Sequence, residues 1–363
     1  MSYKKSINQT HKAFTLIELL VVIAIIGILS TLVVVALGNS RTSARDAKRL
    51  NDLKAMANAL ELYFADNNSY PASITPGQPL EQGGVVYMSK VPNNPTPRTD
   101  GDCPDSEYSY VVNLNGASYA IGFCLGSDIG SLKAGIHTAS PQGGIGNSGL
   151  IGWWQFNEGS GSTAFDTSGN ERHGTINIDT QSLWSTDTPS GNGHSLLFSG
   201  NVSESVNVGL IPMGGLTEVS ILAWIKWNGN HSGGYSGIFW NGNGHDPGRI
   251  MVNGAGSSRP LYLQNSSIGG TNTSGSVINT NEWMLIGYTY SQAEGKQRLY
   301  VNGVQVLEAN RTTPFQSSAN PIRIGWGHST TYMFNGHISE FRIYQRVVTT
   351  EEQESIYTLG LID

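Results

Sequence analysis

Residues 12–22 read Lys12-Ala13-Phe14-Thr15-Leu16-Ile17-Glu18-Leu19-Leu20-Val21-Val22. A short polar leader, residues 1–13, carries Lys4, Lys5 and Lys12. Behind them an uncharged, mostly aliphatic run extends over 19–37, about the length a helix needs to cross ~30 Å of hydrocarbon. An ordinary secretory signal has a shorter apolar region followed by a small-residue cleavage site, and this run shows neither. The odd residue is Glu18. A carboxylate at the edge of an apolar span is costly and marks a functional candidate. A cut before Phe14 would create an amino-terminal cation close to Glu18, and the acid also suits the positive end of the helix dipole. A charge buried there needs a partner, which an α-amine of the same chain or a neighbouring one supplies. Charge bias does not set the orientation, because Arg41, Arg45, Lys48, Arg49 and Lys54 follow the run as the lysines precede it.

This stretch resembles the processing motif of type IV prepilins and type II secretion pseudopilins. The resemblance implies a prepilin peptidase that cuts between Ala13 and Phe14 and methylates the new amine. It also implies that the apolar helix is retained and that Glu18 aligns incoming pilin subunits. The chain departs from the usual pattern in having Ala13 in place of Gly and no Pro within 19–37. The expected localisation is a membrane anchor surrounded by lipid before assembly, then the cell surface or an extracellular filament.

Past residue 37 the helical pattern persists in polar form, with Leu50, Leu53, Met56, Leu60 and Tyr63 spaced by three or four. Asp66-Asn67-Asn68 and then Pro71 stop it. A helix over 14–65 would be about 78 Å long. The segment from Arg41 through Arg45, Asp46, Lys48, Arg49 and Asp52 to Tyr70-Pro71 also resembles the pseudopilin head. So do the strand-like Tyr108-Ser109-Tyr110 and Tyr119-Ala120-Ile121-Gly122-Phe123-Cys124. The charged helix face is expected to be solvated. The two cysteines, Cys103 and Cys124, read as one loop-closing disulfide in an exported protein and as two plain thiols in a cytosolic one. The amino terminus favours export.

The chain has 363 residues, enough for two or three domains, and only 13% of them are charged. Its 45 glycines suit short strands and tight turns better than a helical bundle. A thinly spread net charge of -6 leaves no nucleic-acid footprint. The Gly/Ser-rich stretch 139–149 reads as a flexible linker. All eight tryptophans lie beyond it, among short alternating runs such as Val219-Ser220-Ile221-Leu222-Ala223-Trp224-Ile225-Lys226-Trp227. Asn302-Gly303 marks a hairpin turn, and Thr349 with Glu352 can cap a closing helix. Such a pattern argues a β-sandwich.

Several segments resemble the laminin-G/concanavalin A-like lectin and glucanase fold in its pentraxin-like branch. They are Gly152-Trp153-Trp154-Gln155-Phe156-Asn157-Glu158-Gly159, Asp166-Thr167-Ser168-Gly169-Asn170, Leu299-Tyr300-Val301-Asn302-Gly303, and Phe334-Asn335-Gly336-His337-Ile338-Ser339-Glu340-Phe341. The expected fold is therefore multidomain: a long N-terminal α-helix with a small α+β pilin head, then an all-β jelly-roll sandwich of concanavalin A type. Its parts are a leader at 1–13, a transmembrane or filament-core helix at 14–40, a head at 41–138, the linker at 139–149 and the sandwich at 150–363.

Such folds host lectins, adhesive modules and hydrolases, so the fold alone does not deliver function. A glycosidase needs two carboxylates across the scissile bond. No strand-like run carries an acidic pair at spacing two, Glu340 stands alone, and Glu351, Glu352 and Glu354 read as a solvated helix face. The chain is therefore not expected to be an enzyme. Asp166, Ser168 and Asn170 gather hard oxygen ligands that suit structural Ca²⁺, although the late-strand Asp of the resembling family is Ser339 here. The alternative is a turn that hydrogen-bonds itself. Trp240, Asn243 and Asp246, with Trp326, His328 and Tyr332, are candidates for stacking on a sugar, weighed against plain core packing of the tryptophans. The expected function is a pilin-like surface or filament subunit displaying a lectin-like domain that binds glycans or glycoproteins. The alternative is a structural major pilin or secretion pseudopilin whose sandwich only decorates the filament.

Overall fold

The structure, a computed structural model, describes residues 16–112, 116, 118–130, 132–141, 144–145, 149–177, 183–201, 204–229, 234–242, 248–254, 259–265, 269–316, 318–327 and 331–360. Within the first helix the side chains of residues 16, 18, 28 and 31–36 are also outside this set. Ala13 and Phe14 lie outside the described residues. Glu18 is helical, but its side chain is not described.

Helix α1 runs Leu16–Asn67, 52 residues without a break. Its exposed end carries Ile17, Leu19, Leu20, Val21, Val22 and Ile23. Among the described residues no helix is long and apolar enough to cross a membrane. The helix ends where the Asn cluster predicts: Asn68 adopts φ 55° and its N–H returns to the Phe64 carbonyl at 2.8 Å.

The second half of α1 buries Leu53, Met56, Leu60 and Tyr63 against a four-stranded antiparallel sheet, in the order Ser109–Val112, Tyr119–Leu125, Gly135–Ser140, Gly144–Ile145. The linker reading needs correction. Gly144 and Ile145 pair back on Ser140 and Ala139, so the described part of that stretch is an edge of the head sheet. The charged face is solvated only in part: Arg41, Lys48 and Lys54 are exposed, but the expectation fails at its centre. Asp46 and Arg49 are fully buried, and Arg49 bridges Asp46 at 2.5 Å and Asp100 at 2.9 Å while its Nε donates to Asn94. A buried charge survives only when paired and hydrogen-bonded, and this one is both. Cys103 and Cys124 form a disulfide with S–S 2.02 Å.

The sandwich consists of two antiparallel sheets. The first follows the order Trp184–Ser185, Ser195–Ser199, Asn335–Tyr344, Glu218–Trp227, Trp283–Ser291, Lys296–Val301, Val304–Asn310, with Leu150–Trp154 also pairing on Asn335–Tyr344. The second runs Gly269–Asn272, Leu261–Asn265, Arg249–Asn253, Tyr235–Trp240, Arg323–Ile324, Ser205–Asn207, Gly174–Asn177, Thr163–Ala164. One apolar core fills the space between them, including Trp154, Phe198, Trp227, Phe239, Tyr288 and Phe341. The predicted hairpin forms at Asn302-Gly303, with both residues at positive φ.

Helix α2, Thr350–Gly360, opens with the capping box anticipated from Thr349 and Glu352. The Thr349 N–H reaches Glu352 Oε2 at 2.9 Å and the Glu352 N–H reaches Thr349 Oγ1 at 3.3 Å. Glu352 itself is wholly buried, which corrects its assignment to a solvated face. It pairs with Arg346 at 2.7 Å and accepts from the hydroxyls of Thr138 and Ser140 on the head sheet. Positions 352, 355 and 359 face the head, where a Cβ on Gly122 would run into Ser355 and Leu359. On the other side Tyr357 stacks on Trp224 at 5.7 Å, and a Cβ on Gly287 would meet Gln353. The helix that closes the sandwich is thus also the second cover of the head sheet. This explains why every residue of Tyr119–Leu125 is buried on both faces.

Candidate functional site

The outer face of the second sheet is where the sandwich gathers aromatic and cationic side chains. Alternation dictates it. Ile250 and Val252, Leu261 and Leu263, and Ile324 point into the core. Their neighbours Arg249, Met251, Tyr262 and Arg323 must therefore point away from it. Register then aligns Trp240 with Arg249 on one side and Arg323 on the other, forming an Arg-Trp-Arg row across three strands.

Around this row the rings meet edge to face. Trp240 and Trp326 lie 4.9 Å apart at 73°, and the Arg323 guanidinium lies over Trp326 at 4.4 Å. Tyr235 is 5.2 Å from Tyr262 and 5.3 Å from Tyr332. Burial lowers the Arg249 pKa from its usual value against the opposing influence of Tyr262, Tyr332 and Tyr235. Burial likewise raises the Tyr262 hydroxyl, against Arg249. Gly327 is required beneath the face, because a Cβ there would crowd Met251 and Tyr332.

The structure brings together Trp240, Trp326 and Tyr332 as the sequence suggested, but their roles differ. Trp240 is 9% exposed, too buried to be a stacking platform, and it supports Trp326 from beneath. Trp326, Tyr235, Tyr262 and Tyr332 are half-buried and offer the accessible ring edges and faces. Asn243, Asp246 and His328 lie outside the described residues. Sequence reasoning missed Tyr235, Tyr262, Arg249 and Arg323. The signal was there in Arg249-Ile250-Met251-Val252 and Leu261-Tyr262-Leu263-Gln264, where each apolar residue alternates with an outward one.

The candidate calcium loop is self-satisfied. Asp166 Oδ1 accepts N–H groups from Trp153 at 3.0 Å and Ser168 at 2.9 Å, and Oδ2 accepts that of Arg172 at 2.9 Å. Ser168 Oγ accepts from both the backbone and side-chain nitrogens of Asn170. Ser339 donates to the Gln155 carbonyl at 3.3 Å. Three N–H groups on Asp166 and two on Ser168 are the arrangement of a turn that hydrogen-bonds itself. Among the described residues no three His, Cys, Asp or Glu side chains are grouped to hold a metal.

The geometry defines a class: a helical stalk with a small head, onto which a lectin-type sandwich is fixed. Two stretches match known families. Residues 8–34 match the prokaryotic N-terminal methylation motif, and residues 198–352 match the concanavalin A-like lectin/glucanases superfamily. Type II secretion system core protein G of Aeromonas hydrophila is 40% identical over 95 residues, 26% of this chain and 62% of that protein. The same-named protein of Pectobacterium carotovorum subsp. carotovorum is 36% identical over 97 residues, 27% of this chain and 57% of that protein. The chain thus spans less than two thirds of the length of these relatives. Among solved structures, domain 4 of an extracellular arabinanase from Geobacillus stearothermophilus, in complex with arabinotriose, aligns at 18% identity and TM-score 0.43. That alignment covers 57% of this chain and 98% of that one. The binding domain of Paraclostridial Mosquitocidal Protein 1 aligns at 17% identity and TM-score 0.47, covering 58% and 52%.

Proposed function

We propose that the protein is a non-enzymatic, pilin-like subunit that anchors through its N-terminal helix and presents a glycan-binding sandwich for adhesion at the cell surface or along a filament. In this reading a prepilin peptidase frees Phe14, the helix rests in lipid before assembly, and Glu18 positions the subunit among other pilins. The observation that carries the binding half is the outer face of the second sheet, where Trp326, Tyr235, Tyr262 and Tyr332 cluster beside Arg323. Ring faces stack on the C–H face of a sugar, and a guanidinium donates to its oxygens.

The test is a glycan array probed with the full-length chain. Saturable binding that Trp326→Ala and Tyr262→Ala abolish supports the reading; no binding to any glycan overturns it. The similarity to type II secretion system core proteins favours a second reading, in which the sandwich only decorates a secretion pseudopilin. Under it, loss of the tryptophan face leaves filament assembly and all surface interactions unchanged.

A further inference from the structure

Charge is distributed unevenly over the sandwich. The chain carries a net charge of -6, yet none of the described strands of the second sheet holds an Asp, Glu or Lys, while two of them hold Arg249 and Arg323. The bias extends into the flanking sequence, where Asp246 is the single carboxylate between Glu218 and Glu282 and none occurs in 309–339. The two arginines flank Trp240 on its neighbouring strands, so two strand spacings, about 10 Å, separate their backbones.

Arg323 is the more telling of the two. Arg45, Arg49, Arg98, Arg298, Arg342 and Arg346 each pair with a carboxylate. Among the described residues no hydrogen bond or ion pair engages the Arg323 guanidinium, and its Nε is buried without a partner. What holds it is the Trp326 ring, 4.4 Å away. A guanidinium donates in its own plane, so a ring against its face fixes the group and uses none of its N–H donors. The adjacent Trp240 Nε1 is another buried donor without a partner among the described residues. A half-buried cation without an acceptor is unfavourable, and a ligand that supplies one relieves it.

Given that this face binds a glycan, as proposed above, we infer that the glycan is acidic: it bears a sugar carboxylate, as in a uronic or sialic acid, which Arg323 grips while the neighbouring tyrosines pack on the ring. A carboxylate is planar and presents two oxygens that match the guanidinium fork, whereas a neutral hydroxyl presents one. The charge-assisted pair is also roughly twice as strong as a neutral hydrogen bond. Arg249 adds positive potential over the same row, and no described carboxylate on the sheet cancels it.

The test is the full-length chain on an array of glycans in matched acidic and neutral pairs, such as galacturonate against galactose oligomers and sialylated against unsialylated chains. The acidic members should bind at least about tenfold tighter, the scale of one charge-assisted contact. Methyl esterification of the carboxylate should erase that preference, and about 1 M NaCl should weaken it, since the Debye length there is about 3 Å. Both comparisons leave the protein unaltered, so misfolding does not enter. Arg323→Gln should remove the preference, and Arg323→Lys, which keeps the charge without the fork, should restore only part of it. Equal binding of acidic and neutral glycans overturns the acidic assignment while sustaining a glycan-binding face. A preference for sulfated over carboxylated glycans overturns the carboxylate, and a preference that survives Arg323→Gln overturns the role of this row. No binding to any glycan overturns the broader reading along with this one.

Discussion

The hydroxyls of Ser109 and Ser355 are hydrogen-bonded at 2.7 Å although 246 positions separate them in the chain. Ser109 also accepts the Gly122 N–H, so this one pair joins two strands of the head to the last helix of the sandwich. Two modules that share a buried layer should melt together. Gly122→Val tests this, because a side chain there would collide with Ser109, Ser355 and Leu359 at once. Overpacking of this kind costs about 1–3 kcal/mol. Calorimetry is expected to show a single transition containing both modules, moved down by the substitution. Two separate transitions, with only one displaced, would contradict the shared layer.

The buried charges of the head give a second prediction. Arg49→Ala removes the cation that buried Asp46 pairs with and leaves Asp100 to Arg45 alone, and removing one partner of a buried pair costs about 3–5 kcal/mol. Burial alone would raise the Asp100 carboxyl, but hydrogen bonds and charge from Arg45 and Arg49 outweigh it and hold the pKa below the usual value. A depressed folded pKa means stability that is present above the unfolded pKa and lost as pH falls through the folded one. Urea titrations should therefore show wild type weakening below about pH 4. Asp100→Asn should be less stable at pH 7 and should flatten that acid limb.

The processing motif, the amphipathic stripe, the hairpin and the capping box were all legible because each is a local pattern with a local cause. What the sequence hid was non-local. Whether Arg49 is solvated depends on Asp100, and whether Glu352 is solvated depends on Thr138 and Ser140; nothing near them in the chain announces this. The stretch 139–149 has a linker's composition, yet Gly144 and Ile145 still pair on the neighbouring strand. At the candidate site the conspicuous tryptophans drew attention, although Trp240 is the buried support and the plainer Tyr235 and Tyr262 form the surface.

Reduction should be felt across the junction. Cys103–Cys124 closes a loop with a sequence separation of 21, and cross-links of that span contribute about 3 kcal/mol. Both cysteines belong to the same apolar cluster as Trp224 and Leu359. Cys103→Ser with Cys124→Ser is expected to lower the single shared transition. Lowering confined to the head would argue that the cluster transmits nothing.

Glu158 provides a gain of stability. Its Oε1 accepts the Phe165 N–H at 2.7 Å, but Oε2 is buried without a partner among the described residues. Burial raises its pKa, with backbone N–H groups opposing. A raised folded pKa means that the group's contribution is fully present below its unfolded pKa and is lost as pH rises through the folded one. Glu158→Gln should therefore stabilise at pH 7, by at most about 1 kcal/mol given partial exposure, and give no gain below about pH 4.

The Asp166 loop separates a metal-built turn from a self-built one. Its carboxylate receives three backbone N–H groups, from Trp153, Ser168 and Arg172. Hydrogen bonds to a charged acceptor are stronger than neutral ones, so Asp166→Asn loses part of each and should cost about 1–3 kcal/mol. Because the loop makes its own hydrogen bonds, a chelator should leave the wild-type melting temperature unchanged to within about 1 °C, whereas losing a bound ion worth about 3 kcal/mol would lower it by about 4 °C in a chain of this size. Added Ca²⁺ should not raise it by mass action either. A calcium-dependent rise in wild type that disappears in Asp166→Asn would show instead that the turn exchanges its N–H donors for an ion.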